Sequence, residues 1–318
     1  MDKVRRAIWA LTALLTVNAA SDTHAQARVE SNVIYGMYSG LALLMDVHTP
    51  EEQNGYGLVL IPGSAWLAPL SLDAEPLKQA VARPVKGVDR FLAAGYTVFA
   101  INHRATPRFS YPAPVADSQR AVRFIRHNAD RFGINADRIG AIGGSSGGYL
   151  VSMLGALDGD ENSTGISPVD QESAKVQAVV ALYPATDLVE FAKQTISSNA
   201  LLRGSNSLLT SFVGAFLGAP SPSSPPTDEA ALYAEASPTT HISPDDPPFL
   251  LIHGDADIAV PYNQSELLYA RLQENGVTAE FLTMPGGGHG DALIAGPNPP
   301  DHYGPMINWF DRHLRQLP

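Results

Sequence analysis

The chain has 318 residues, 45% of them hydrophobic and 17% charged, with a formal net charge of -11. That length and balance predict one large globular domain with a full core, and exclude a disordered or fibrous chain. The acidity argues against nucleic acid and anionic membranes as partners, and the absence of cysteine excludes a disulfide framework and a thiol nucleophile.

In chain order, the first element is a targeting segment. Lys3, Arg5 and Arg6 precede an apolar run over residues 7–17, and Ala25-Gln26-Ala27 supplies small residues where a signal peptidase reads, so residues 1–27 are predicted to be a signal peptide. Asn18 and Asp22 interrupt the run before it reaches the ~20 apolar residues of a membrane span, so a secreted or periplasmic protein with no membrane anchor is expected. Cleavage after Ala27 removes three basic and two acidic groups and moves the formal charge from -11 to -12.

Residues 28–318 read as a single domain. Residues 29–35 and 41–47 are predicted to form a leading antiparallel pair of strands. Short apolar runs then recur at 58–61, 97–101, 138–142, 178–183, 248–253 and 279–284, with helical periodicity over 115–132 and 149–157 and a last helix over 305–314. Strands alternating with helices predict an α/β fold, a mostly parallel central sheet flanked by helices. One stretch breaks the rhythm: about sixty residues separate the strands ending at Tyr183 and starting at Pro248, and a connection that long is expected to be a small inserted cap, about 188–246, over an active site.

The stretch after the strand at 138–142 contains two overlapping matches to G-x-S-x-G. Gly143-Gly144-Ser145-Ser146-Gly147 nominates Ser145, and the match one residue later nominates Ser146. Strand, glycines and helix in that order are the context of a nucleophile elbow. A serine hydroxyl at its normal pKa is a poor nucleophile, so it needs a base, an acid that orients the base, and donors for the oxyanion that forms. Downstream, His253, Asp255 and Asp257 follow one apolar strand and His289 follows the next. In a parallel sheet the loops after successive strands share one edge, so these groups can reach the elbow.

These motifs, with residues 102–104, 111–117, 133–139 and 181–187, resemble the α/β-hydrolase superfamily over about residues 33–316. The similarity is to the secreted esterase branch, acetyl xylan esterase-like and feruloyl esterase-like, which borders the prolyl oligopeptidase family. The resemblance implies Ser145 as nucleophile, with the strand ending at Ile142 and the helix beginning at Tyr149. The family's H-G-x-x-D-x-x-V-P implies Asp257 as the acid and leaves Asp255 exposed, while His253 sits at a structural position and His289 is the base. The family's oxyanion loop, H-G-G-x-W, stands here as Pro62-Gly63-Ser64-Ala65-Trp66. Backbone donors survive a change of side chain, so the N–H groups of Ser64, Ala65 and Ser146 are expected to form the oxyanion hole, Ser146 using its backbone only. Arg104 and Asp117 are expected to pair structurally.

The implied activity is a serine carboxylesterase hydrolysing short-chain acyl esters, acetyl or feruloyl groups on plant polysaccharide among them, with no cofactor and no metal. The partner expected is a small-molecule ester or acylated carbohydrate. Two alternatives stay open: a prolyl oligopeptidase-type peptidase, which would share the Ser, Asp, His order, and a non-catalytic carbohydrate-binding module on a hydrolase fold.

Overall fold

A computed structural model describes residues 27–68, 70–71, 75–82, 87–159, 167–198, 206–218, 227–294 and 299–317. The signal-peptide expectation for residues 1–27 lies outside them except for Ala27. Eight strands form one sheet: β1 (Arg28–Tyr38), β2 (Leu41–Thr49), β3 (Gly57–Ile61), β4 (Thr97–Ile101), β5 (Ile139–Gly144), β6 (Ala178–Leu182), β7 (Phe249–Gly254) and β8 (Ala279–Met284). Their order is β1-β2-β4-β3-β5-β6-β7-β8, with β1 and β2 antiparallel to their neighbours and the rest parallel. This is the α/β-hydrolase arrangement. The helices are α1 (Val88–Ala93), α2 (Ala113–His127), α3 (Ala129–Phe132), α4 (Ser146–Ala156), α5 (Leu188–Ser198), α6 (Asn206–Leu217), α7 (Thr227–Glu235), α8 (Pro238–His241), α9 (Asn263–Glu274) and α10 (Tyr303–Phe310). Among the described residues no helix is long and apolar enough to cross a membrane.

The parallel strands β3 to β7 are buried along their whole length and almost wholly apolar because both of their faces are covered, whereas β8 at the edge is only half-buried. Side chains alternate along each strand between two cores. Val59, Phe99, Ala141, Val179 and Leu251 pack with α2, α4 and α9 on one face, whereas Leu58, Val98, Ile142, Val180 and Leu250 pack against Phe91, Trp309 and Phe310 on the other.

Three boundaries differ from the sequence expectation. The helix expected over 115–132 is broken at Asn128, whose side-chain amide donates to the Phe124 carbonyl and competes with the backbone ladder there. β5 does not stop at Ile142 but runs through Gly143 and Gly144, which pair with Ile61 and Leu182. α4 therefore starts at Ser146 rather than Tyr149. The reason is the closeness of helix and sheet at this corner. A Cβ on Gly143 would lie 2.4 Å from the Gly147 carbonyl oxygen, and one on Gly147 would lie 2.0 Å from that of Ile61. Only glycine lets the strand continue while the helix begins directly beside it.

Candidate active site

Ser145 occupies the single residue between β5 and α4, with φ 58° and ψ −125°. A non-glycine residue in this region is strained, and the strain lifts the side chain off the end of the strand. The Ser145 N–H donates to the Leu182 carbonyl at 2.9 Å and its own carbonyl accepts from Tyr149 N–H at 2.9 Å, so both neighbouring elements hold the turn. The backbone conformation, and not burial of Ile142 at a strand end, is what distinguishes Ser145 from Ser146, which is already helical and 2% exposed.

The loops after β7 and β8 bring the other groups to this edge. His289 Nε2 lies 2.9 Å from Ser145 Oγ, and His289 Nδ1 lies 2.7 Å from Asp257 Oδ2. A carboxylate can only accept, so Nδ1 carries the ring proton and Nε2 is left free to accept from the serine hydroxyl. The Asp257 side chain is fully buried, and its Oδ1 accepts from the N–H groups of Ala259 and Val260 at 2.7 and 2.9 Å. Burial alone would push this carboxyl up. Hydrogen bonds from His253, His289 and the Val260 N–H outweigh it and hold Asp257 below the usual carboxylate range.

His253, read from sequence as a strand-end residue, is also part of this arrangement. It is completely buried, its Nδ1 is 2.8 Å from Ser265 Oγ, and its Nε2 is 3.1 Å from the Val260 carbonyl and 3.4 Å from Asp257 Oδ2. The carbonyl can only accept, so Nε2 is protonated and Nδ1 accepts from the Ser265 hydroxyl. Two imidazoles thus face one carboxylate. The four-residue spacing from His253 to Asp257, across a strand end and a tight turn, was the sequence signal for it.

The neighbouring residues fall apart into other roles. Asp255 is exposed and accepts from Gly286 N–H at 2.6 Å. Arg104 makes a forked pair with Asp117, at 2.7 Å for its closest guanidinium nitrogen, and that group lies 4.0 Å from the centre of the Tyr38 ring. Tyr183 has φ 38° and places its ring 4.7 Å from that of His289, at an interplanar angle of 60°. Among the described residues no group of three or more His, Asp or Glu is placed to hold a metal ion.

The loop after β3 lies on the elbow, since a Cβ on Gly63 would sit 2.9 Å from Ser145 Cβ. Leu67 N–H donates to the Ser64 carbonyl at 3.0 Å and both central residues have positive φ, Ala65 at 53° and Trp66 at 57°. This is a type I′ turn without glycine, costing roughly 1–2 kcal/mol at each central residue. Of the three expected oxyanion donors, Ser146 begins α4, so its N–H has no acceptor one turn back, and Ala65 N–H has no acceptor within its turn. Ser64 N–H differs: it donates to Ser146 Oγ at 2.8 Å.

The geometry agrees with what the chain is similar to. It is 24% identical to "Esterase LipC" of Mycobacterium tuberculosis over 75% of this chain and 54% of that protein. The chain spans about half the length of the curated relatives it matches first. Among solved structures, a "Truncated form of carbohydrate esterase from gut microbiota" superposes with a TM-score of 0.71 at 26% identity, covering 92% of this chain and 98% of that one. The "Bifunctional GH43-CE" of Bacteroides eggerthii superposes with a TM-score of 0.70 at 30% identity, covering 90% of this chain and 38% of that one. The BD-FAE family model matches residues 45–272, a stretch that runs from β2 to α9 and takes in the elbow, the oxyanion loop and Asp257. With most of its length inside that match, the chain belongs to the BD-FAE family.

Proposed function

We propose that this protein is an exported serine carboxylesterase that removes short acyl groups from acylated carbohydrate, acetyl or feruloyl esters of plant polysaccharide being the substrate class. The observation that carries the reading is the continuous hydrogen-bonded run from Asp257 through His289 to Ser145 at the tip of the elbow. Relatives and neighbours named as esterases and carbohydrate esterases support it.

In this reading Ser145 Oγ attacks the ester carbonyl as its proton passes to His289 Nε2. Asp257 fixes the ring and stabilises the imidazolium. Backbone N–H groups of Ser146 and Ala65 take the oxyanion, and His289 returns the proton to the departing sugar oxygen. Water, deprotonated by His289, then attacks the acyl-enzyme and frees the carboxylate.

Turnover of p-nitrophenyl acetate and release of acetate from acetylated xylan should be lost by roughly 10⁴-fold or more in Ser145→Ala with the fold intact. A covalent organophosphate adduct should map to Ser145. An adduct on Ser146, or cleavage of an aminoacyl nitroanilide in preference to any ester, overturns the assignment. Binding of xylan without any turnover would favour the carbohydrate-binding alternative.

A further inference from the structure

We infer that the Ser146 hydroxyl is a positioning group that clasps the oxyanion loop to the elbow, so that Ser64 N–H serves the clasp and the oxyanion is received by Ala65 N–H and Ser146 N–H. This rests on the proposed ester hydrolysis and assigns a role to a side chain for which sequence reading left none.

The clasp starts at a point where the sequence departs from the H-G-G-x-W pattern it resembles and ends at the variable position of the elbow, Ser146. Ser64 replaces a loop glycine, and its hydroxyl is buried and finds no partner among the described residues, so its own side chain does not hold the loop. The second serine of the elbow does so instead, by accepting Ser64 N–H at 2.8 Å across 82 residues of chain. An N–H that already donates along this direction to a hydroxyl is poorly placed to donate to an oxyanion as well.

A clasp is needed because the turn it closes is strained. Ala65 and Trp66 both hold positive φ without being glycine, a conformation that persists only where the surroundings impose it. Three restraints impose it here. The Trp66 carbonyl accepts from Thr106 N–H at 2.8 Å and from Thr106 Oγ1 at 3.0 Å. The Trp66 ring stacks on Phe216 at 4.4 Å. Ser146 Oγ holds the entry to the turn, and it is the hydrogen bond that ties this end of the loop to α4, the Trp66 ring meeting Tyr149 of the same helix edge-on at 5.2 Å on the distal side. Removing it leaves the distal side of the turn fixed and lets Ser64 and Ala65 drift from the elbow, which misplaces a transition-state donor without touching the bound ground state.

Ser146→Ala deletes one oxygen at the first turn of a helix and tests this directly. The full chain, the variant and Ser145→Ala are compared on p-nitrophenyl acetate, for affinity toward a trifluoromethyl ketone that forms a hemiketal with Ser145, and for amide hydrogen exchange of the peptide spanning residues 62–68. Ser146→Ala should lower kcat about 10- to 100-fold with KM within twofold, weaken the ketone by a similar factor, and speed exchange at the loop. Three results overturn the clasp: unchanged exchange, faster exchange with unchanged kcat, or a loss that falls in KM. If wild type shows no esterase activity while Ser146→Ala still speeds exchange at the loop, the clasp stands as structure and the ester reading falls separately.

Discussion

Asp257 is the residue where charge and geometry are most tightly joined, because one buried carboxylate receives two imidazoles and two backbone N–H groups. Asp257→Asn keeps the shape and removes the charge that stabilises an imidazolium, so kcat should fall by roughly 10⁴-fold while the protein stays folded. The same carboxylate couples stability to pH. Its folded-state pKa is depressed, so its stabilising contribution is fully present above the unfolded value of ~3.9 and is lost as pH falls below that toward the folded value. The stability gap between wild type and Asp257→Asn in urea unfolding should therefore shrink as pH falls below ~4; a gap that widens below that pH contradicts the assignment. At this scale the sequence was informative where chemistry needs a residue type at fixed local spacing, as with Ser145, Asp257 and His289. It was silent on the Ser146 hydroxyl, because a side chain's partner 82 residues away is set by how closely loop and helix pack, whereas the structural place of His253 at a strand end was legible.

Elements were legible in proportion to how local their cause is. β4 and β8 fall where their apolar runs fall, over Thr97–Ile101 and Ala279–Met284, because a run of that length fits a strand, fully covered in β4 and half-buried at the sheet edge in β8. The end of β5 was not legible, since whether two glycines continue a ladder depends on the helix lying against them. The pairing of β2 with β4 instead of β3 follows from crossover topology, which hydrophobic pattern does not encode. The long connection after β6 is helical in its described parts, with α5, α6, α7 and α8, and it returns to the sheet through Asp246. Burial pushes that carboxyl up to about 6, against the N–H and hydroxyl of Ser243, which lower it by less. Here the folded pKa lies above the unfolded one, so stability is greatest below ~3.9, falls as pH rises to about 6, and is level beyond. The whole shift corresponds to ~3 kcal/mol, and residual solvent access roughly halves it. Asp246→Asn, which keeps an oxygen for the Ser243 N–H, should gain ~1 kcal/mol at pH 7.5 and almost nothing at pH 4 in parallel urea melts. An equal gain at both pH values would mean that charge burial is not the cause.

At the scale of the whole molecule, parallel strands deliver the elbow, the loop after β3 and the loops of Asp257 and His289 to one edge, and the connection between β6 and β7 packs against the loop after β3. Its contact is aromatic. Phe216 of α6 is fully buried, stacked on Trp66 at 4.4 Å, and set edge-on to Tyr149 at 5.3 Å and Tyr111 at 5.9 Å. Trp66 belongs to the turn after β3 and Tyr149 to the first turns of α4, so the cluster is assembled from three separate parts of the chain. The proposed short-acyl preference sets the acyl group against this cluster, where a long chain would have to unstack the rings. Acetyl and propionyl esters should therefore exceed octanoyl by at least tenfold in kcat/KM, ~1.4 kcal/mol of transition-state binding. Phe216→Leu tests the wall itself: it avoids the ~3–5 kcal/mol that Phe216→Ala would cost and leaves Trp66 packed, yet it removes the stacked ring. In p-nitrophenyl acetate, butyrate and octanoate assays, the variant should narrow the acetate preference by at least about threefold, through a gain on octanoate and not merely a loss on acetate. Wild-type activity that climbs with chain length would sink the short-acyl reading, and with it the deacetylation of polysaccharide. An unchanged ratio in the variant would place the acyl group away from Phe216 and leave that ring with the support of the oxyanion turn as its sole task.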